Sequence, residues 1–580
     1  MKSKALEASQ KFGRGLLCAC LIPAVMAAAD ADLILHNGKI VTVDQNFAVT
    51  QAVAVKDGKI TRVGTDQDVL AAERGSQTKV LDLEGRTMLP GLIDSHVHPD
   101  EAGLSEFRRP LPPLDSFAAV ENYIRSQAER TPKDRWIIVP RTFPTRLKEM
   151  RMPTRKVLDV VTDHPVLFDA SYVVVANTLA LKLSHIDRNT PNPPGGVIVK
   201  DANGEPNGIL RNAESLIKGL DTGEHFSEHE KLLALEQQLR RYVEAGLTSI
   251  GDRGVQEEQI ALYRKLKQEH RLPIRAVLTW LPHVPGPPQN LLDKIRSVDF
   301  HTGVGDEWLK FGAFKQTLDG GMTIGTAYQR QPYGAFGRQL YGITDPTDRG
   351  QLFISPGRLL DIMRTARDNG WQVTTHDQGG GAIDHFLDCL EALGTERPIG
   401  PTRSHVIHAS FQSPQAIARM KKLGILADVQ SPWLYKDAPA LEQVFTYNDM
   451  RYFFPLRSYV DAGIITALGS DHMIGHDKNR ATNPYNPFLS LYIAVTRKTD
   501  RGQAFHPEER VTRQEALKMH TIWAAYLQFS EKAKGSIEPG KLADLVVIDR
   551  DYLACPEDQI KEIEPVMTIL DGKVVYQRAK

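Results

Sequence analysis

Between residues 92 and 471 eight short apolar runs recur, most of them separated by amphipathic helical stretches. That alternation limits the fold more than any other feature, because strands that are apolar on both sides belong to a parallel sheet covered on both faces. The runs fall at 92–98, 247–252, 274–280, 309–315, 372–376, 404–408, 425–430 and 464–471. One helix is legible in full at 228–245, where Ser227 and Glu230 suit a capping box and Gly246 a stop. Eight strand–helix units predict an α/β fold, a (β/α)8 TIM barrel. The first connection is unusually long, so residues from about 100 to 235 are expected to hold an insertion with a turn-rich β segment around 191–212. A second long connection, 320–350, is rich in glycine and aromatics and reads either as a loop over the site or as a surface excursion.

The two ends of the chain are written in another style. From 32 to about 88 short strands such as Asp32-Leu33-Ile34-Leu35-His36 and Ala52-Val53-Ala54-Val55 are punctuated by Asn37-Gly38 and Asp57-Gly58, both read as hairpin turns. The C-terminus repeats the pattern, with Leu545-Val546-Val547-Ile548, Asp571-Gly572 and Val574-Val575-Tyr576. Neither end has enough strands for a stable sheet alone. Both are expected to join in one small β-sandwich, giving an N-terminal part at 30–88, a barrel at 89–535 and a C-terminal part at 536–580.

Residues 1–29 read as a secretory signal peptide. Lys2, Lys4, Lys11 and Arg14 precede an apolar segment at 15–24, and small residues follow through Ala27 and Ala29. The apolar core is too short to span a bilayer, and no later segment reaches that length, so the expected location is periplasmic or secreted with no integral membrane segment after signal removal. Lysines and arginines equal aspartates and glutamates at 71 each, so no bulk field draws the chain to nucleic acid, and no basic stripe with interleaved aromatics appears. The expected partner is a small-molecule substrate. Cys18 and Cys20 fall in the signal, which leaves Cys389 and Cys555, too few for a disulfide framework and read as free or buried.

In a TIM barrel the site lies at the C-terminal ends of the strands. The first strand ends in His96-Val97-His98, and residues two apart on a strand share a face. The fourth run ends in Lys315, the fifth in His376, the sixth in His408 and the eighth in Asp471. Four imidazoles and a carboxylate on one rim match the nitrogen-rich shell that zinc-like ions prefer. Lys310 begins its strand and lies on the opposite face by parity, as does His405 relative to His408. Asp94 shares the face of His96 and His98 and is expected to orient the pair rather than bind metal. His283, His472, His476 and Tyr172 stand near the rim or on loops with weaker claims.

These segments together resemble the amidohydrolase superfamily, in the branch that includes N-substituted formamide deformylases. The resemblance covers essentially the whole chain after the signal. It is carried by 89–98, Lys315-Gln316-Thr317-Leu318-Asp319-Gly320, Thr375-His376-Asp377-Gln378-Gly379, Val406-Ile407-His408-Ala409, Leu468-Gly469-Ser470-Asp471 and the closing stretch 535–544. It implies that His96 and His98 bind the more buried of two divalent ions, zinc by expectation, and His376 and His408 the second. It also implies that Lys315, carbamylated by carbon dioxide, bridges the ions and that Asp471 ligates and carries the proton. The chain departs from the branch at Gly379-Gly380-Gly381, at Tyr172 and at Met322-Thr323-Ile324, which bears on the substrate pocket and leaves the metal shell intact.

The activity so implied is exported, metal-dependent hydrolysis of an amide-type C–N bond in a small molecule. Two other readings keep the scaffold: a site with one ion and unmodified Lys315, acting as a deaminase, esterase or lactonase, and a non-catalytic exported binding or regulatory protein. Carbohydrate hydrolysis by paired carboxylates lacks an acid pair at the strand ends.

Overall fold

The structure, a computed structural model, describes residues 30–579; the expected export signal lies outside the described residues. Eight parallel strands follow one another in sequence order: Leu92–Val97, Leu247–Val255, Arg275–Trp280, Leu309–Thr317, Val373–Asp377, His405–His408, Leu426–Gln430 and Thr466–Gly469. The eighth returns to the first, where Val97 bridges His472 in parallel and the Asp471 amide donates to the His96 carbonyl at 2.8 Å. This is the expected TIM barrel. The fourth strand runs two residues past Lys315, so Lys315 lies inside a strand rather than at its end.

The helix Glu228–Glu244 carries the capping box of Ser227 and Glu230, and Gly246 beyond it has φ +91°. Its inner face, including Leu232, Leu235, Leu239 and Val243, is buried against the barrel. The long first connection is a subdomain with its own five-stranded sheet, in the order Val197–Lys200, Pro206–Arg211, Val173–Ala176, Val166–Asp169, Ile137–Val139.

Two further sheets pack face to face at the N-terminal ends of the barrel strands around Leu33, Leu35, Val53, Val55, Met88, Leu545, Val547 and Ile569. One has four strands from the N-terminal part; the other has six and joins Lys39–Val41, Val49–Thr50 and Thr87–Pro90 to three C-terminal strands. Asp57-Gly58 and Asp571-Gly572 form two-residue hairpins with positive φ at both positions, the geometry of a type I′ turn. Asn37-Gly38 does not. Leu33–His36 and Lys39–Val41 lie in different sheets, so this turn carries the chain from one layer to the other. The local signal is the same in both cases; the neighbours that each strand finds differ.

The sandwich is fastened to the barrel by a buried ion pair. Arg275, at the start of the third barrel strand, donates from Nε to Asp544 Oδ2 at 2.7 Å and from a terminal nitrogen to Asp544 Oδ1 at 3.0 Å. Both side chains are almost wholly buried. Removing one partner leaves an uncompensated charge, so Asp544→Ala is expected to cost about 3–5 kcal/mol, read by urea denaturation. An unchanged midpoint would show that the pair does not hold the two parts together.

Candidate metal centre

Five of the six expected ligands come together at the open end of the barrel. His96 Nε2 lies 3.3 Å from His98 Nε2, and Asp471 Oδ1 lies 3.2 Å from the first and 3.3 Å from the second. Three lone-pair atoms thus form a near-equilateral triangle. Ligand atoms around a tetrahedral zinc with bonds of 2.0–2.1 Å stand about 3.3–3.4 Å apart, so the triangle has the edge of such a shell. His408 joins from the other side of Asp471, with Nδ1 3.9 Å from Oδ2. Ligand atoms of His96, His408 and Asp471 lie within 4.8 Å of one another. His376 packs on His408 with ring centroids 4.4 Å apart. The buried His408 Nδ1 has no hydrogen-bond partner, a costly vacancy for a polar atom that a metal ion would fill. The donor set therefore fits a divalent ion.

Two of the expected ligands sit in strained backbone. His408 has φ +66°, the next residue Ala409 +51°, and Asp471 +56°, all in the left-handed region that side chains other than glycine's avoid. Such strain persists only where surrounding contacts over-determine it. For Asp471 those contacts include the bond to the His96 carbonyl and Asn483, whose amide donates to the Asp471 carbonyl at 3.1 Å.

The sixth residue, Lys315, is buried, and its Nζ donates to the Arg253 carbonyl at 2.8 Å. Burial, opposed by the negative charge of Asp471, brings its amine down to about 8. The Asp471 carboxyl is pushed up by burial, but the His96 and His98 imidazoles outweigh this and hold it well below the usual carboxylate range.

Several supporting residues have no role assigned to them from the sequence. Asp319 Oδ1 lies 3.2 Å from His376 Nδ1, which leaves Nε2 as that ring's free ligand atom. The same carboxylate accepts the amides of Gln378, Gly379 and Tyr328. Trp433 Nε1 donates to Asp471 Oδ2 at 2.8 Å. Arg253 and Asp428 form an ion pair of 3.0 Å inside the barrel. The available signal was charge within buried-type strands, since Asp428 interrupts an apolar run and Arg253 follows one directly.

Asp94 differs from expectation. Its Oδ1 accepts the backbone amides of His96 and Ser470, so it secures the strands rather than an imidazole. His472 is structural: Nε2 faces the Gly475 carbonyl, and Tyr242 donates to Nδ1 at 2.8 Å. His476 is held by the Gly103 carbonyl, and His283 is exposed. His405 is buried beneath the site. Tyr172 borders the centre, its ring 6.1 Å from His376 and 5.3 Å from Phe353. The 320–350 connection packs down on the triple glycine: a Cβ on Gly379 would lie 2.1 Å from the Tyr328 carbonyl oxygen, and the Gly381 amide donates to that oxygen. Two of the departures from the branch pattern are thus one packing arrangement, because the Met322 amide also donates to Gln378.

Residues 79–576 match the Amidohydro_3 amidohydrolase family, and the chain belongs to it. It is a metal-dependent hydrolase of the class acting on carbon–nitrogen bonds. Among curated relatives, N-substituted formamide deformylase of Arthrobacter pascens is 31% identical over 566 residues, covering 94% of this chain and 98% of that one. An uncharacterized metal-dependent hydrolase of Pyrococcus horikoshii superposes with a TM-score of 0.67 at 22% identity, over 91% of this chain and 99% of that one. The atrazine chlorohydrolase TrzN of Arthrobacter aurescens, complexed with zinc, shares the fold at a TM-score of 0.51 and 14% identity, over 94% and 95%.

Hydrogen bonds to charged groups contribute about 1.5–3 kcal/mol. Trp433→Phe, which keeps the aromatic wall and removes the bond to Asp471, is expected to lower turnover about tenfold or more while metal content stays unchanged. Full turnover in that variant would remove Trp433 from the support of Asp471.

Proposed function

We propose that this protein is exported and hydrolyses a small, uncharged amide at a site that would hold two zinc ions, with Lys315, as a carbamate, among their ligands. The observation that carries the reading is the triangle of His96 Nε2, His98 Nε2 and Asp471 Oδ1, with His408 and His376 continuing the shell. His96, His98 and Asp471 would hold one ion, and His376 and His408 the other. The nitrogen-rich set suits zinc, the ion named with the atrazine chlorohydrolase. What the ions supply when bound is a water that ionises near neutral pH and a polarised carbonyl.

The chain's own groups do the rest. Asp471, held ionised beside His96 and His98, takes the proton from the attacking water and passes it to the departing nitrogen. Trp433 keeps the second carboxylate oxygen in place. Burial pushes the Tyr172 hydroxyl up, so it stays protonated and offers a donor to the substrate beside His376. Lys315 reacts as a neutral amine: its nitrogen bonds to the carbon of carbon dioxide and one proton leaves, which turns a cation into a carboxylate-like ligand. A depressed ammonium keeps a useful fraction of that amine near neutral pH.

Aromatic side chains flank the centre on two sides, Tyr172 with Phe353 near His376 and Phe143 with Trp433 near Asp471. Such walls favour an apolar substituent, and an N-substituted formamide, the substrate named for the Arthrobacter pascens relative, is the first class to test. Export is supported by the basic, apolar and small-residue order of 1–29. No helix among the described residues is long and apolar enough to cross a membrane.

A panel of N-formyl, N-acyl and cyclic amides tests the chemistry. His96→Ala and Asp471→Ala are each expected to lower turnover at least about 100-fold with the far-ultraviolet circular dichroism unchanged. Wild-type turnover in either would overturn the mechanism. Isotope-labelled bicarbonate should give a carbamate resonance that Lys315→Met lacks, together with two zinc ions per chain. One ion, no carbamate and full activity would establish the single-ion reading instead. Cell fractionation tests export.

A further inference from the structure

The barrel interior beneath the metal centre is polar where barrels of this kind are usually packed with branched apolar side chains. Arg253 spans it. Its Nε donates to the Ser95 carbonyl at 2.7 Å, one terminal nitrogen donates to Thr279 Oγ1 at 3.0 Å, and the other meets Asp428 Oδ2 at 3.0 Å. Its own carbonyl accepts from Lys315 Nζ at 2.8 Å. One residue on the second strand thus reaches the first, third, fourth and seventh. Asp428 is held from its other oxygen by Ser95 Oγ at 2.5 Å. Arg253, Asp428 and His96 are all buried.

His96 turns Nε2 toward His98 and Asp471, which leaves Nδ1 facing inward. Its partner there is Asp428 Oδ2, 3.9 Å away, and neither atom makes a hydrogen bond in this structure. On the other side of the centre the same relation is already closed, with Asp319 at 3.2 Å from His376 Nδ1. An imidazole that ligates through one nitrogen is oriented by a carboxylate on the other.

We propose that Arg253 and Asp428 form a positioning pair for the buried half of the centre: Asp428 accepts the Nδ1 hydrogen of His96 and fixes Nε2 as its ligand atom, while Arg253 holds Asp428 in place and anchors Lys315 through its carbonyl. The pair costs desolvation on both charges, and a buried ion pair of this kind adds little to stability by itself. Its placement against two members of the shell explains its presence better than stability does.

The inference rests on the reading of His96 as a metal ligand. The test therefore starts with metal-free wild-type protein titrated with zinc against a chromophoric chelator. Asp428→Asn is expected to weaken the tightest zinc site about 10–100-fold, the range for lost outer-shell partners. Ser95→Ala, which removes only the hydroxyl on Asp428, should give a smaller loss in the same direction and keeps the test open if Asp428→Asn fails to fold. Cobalt substitution adds a second readout: the visible spectrum should change in Asp428→Asn and stay as wild type in Asp377→Asn, a buried carboxylate bonded to Thr375 rather than to a ligand ring. Wild-type zinc affinity and cobalt spectrum in a folded Asp428→Asn variant, or in Ser95→Ala should that variant not fold, overturn the positioning role while leaving the metal centre intact. Failure of the wild type to bind zinc overturns the metal reading itself and this inference with it.

Discussion

A parallel barrel has one place where sequence order cannot supply the next neighbour, the seam between its first and eighth strands, and here the candidate metal centre is built on that seam. Asp94 accepts amides from both sides of it, from His96 and from Ser470, while the Asp471 amide returns a bond to the His96 carbonyl. Gly469 allows the approach: a Cβ there would lie 2.7 Å from the His96 nitrogen. The contact that closes the barrel is thus also the contact that sets Asp471 Oδ1 against two imidazoles. Stability and ligand geometry share the same few atoms.

Around this seam the protein spends buried polar groups freely, and several of them are answered by another. Asp319 gathers three amides and a histidine, Arg253 gathers a carbonyl, a hydroxyl and a carboxylate, and Trp433 donates to Asp471. In a low dielectric such networks are rigid when satisfied and costly when broken. They hold the candidate ligand atoms close to the spacing that an ion requires. The strained backbone at His408 and Asp471 is the other side of the same arrangement.

Much of this was legible in the residues. Period and length of the apolar runs place all eight barrel strands within a few residues, and the rule that sites lie at strand ends selects His96, His98, His376, His408 and Asp471 without knowledge of any contact. Lys315 came from the same rule although its strand continues to Thr317. What did not show were partners contributed by distant segments. Asp428 is 332 residues from His96, and only the closed barrel brings them within reach. Asn37-Gly38 reads like Asp57-Gly58, yet only the second makes a hairpin, because the first strand finds its antiparallel partner at Ala52–Lys56 rather than at its sequence neighbour.

The sequence by itself determined the alternation of strands and helices, the division into a barrel and a sandwich drawn from both ends, and which side chains sit on the rim. Those follow from period, turn chemistry and parity, which are local properties of the chain. Only the tertiary structure decided the distances among the ligands, which ring nitrogen each histidine presents, and that Asp94 binds backbone while Asp319 and Asp428 face imidazoles. These depend on register across the sheet and on the curvature that closes the barrel. Both are set by the packing of all eight strands at once, and no short stretch of residues encodes them.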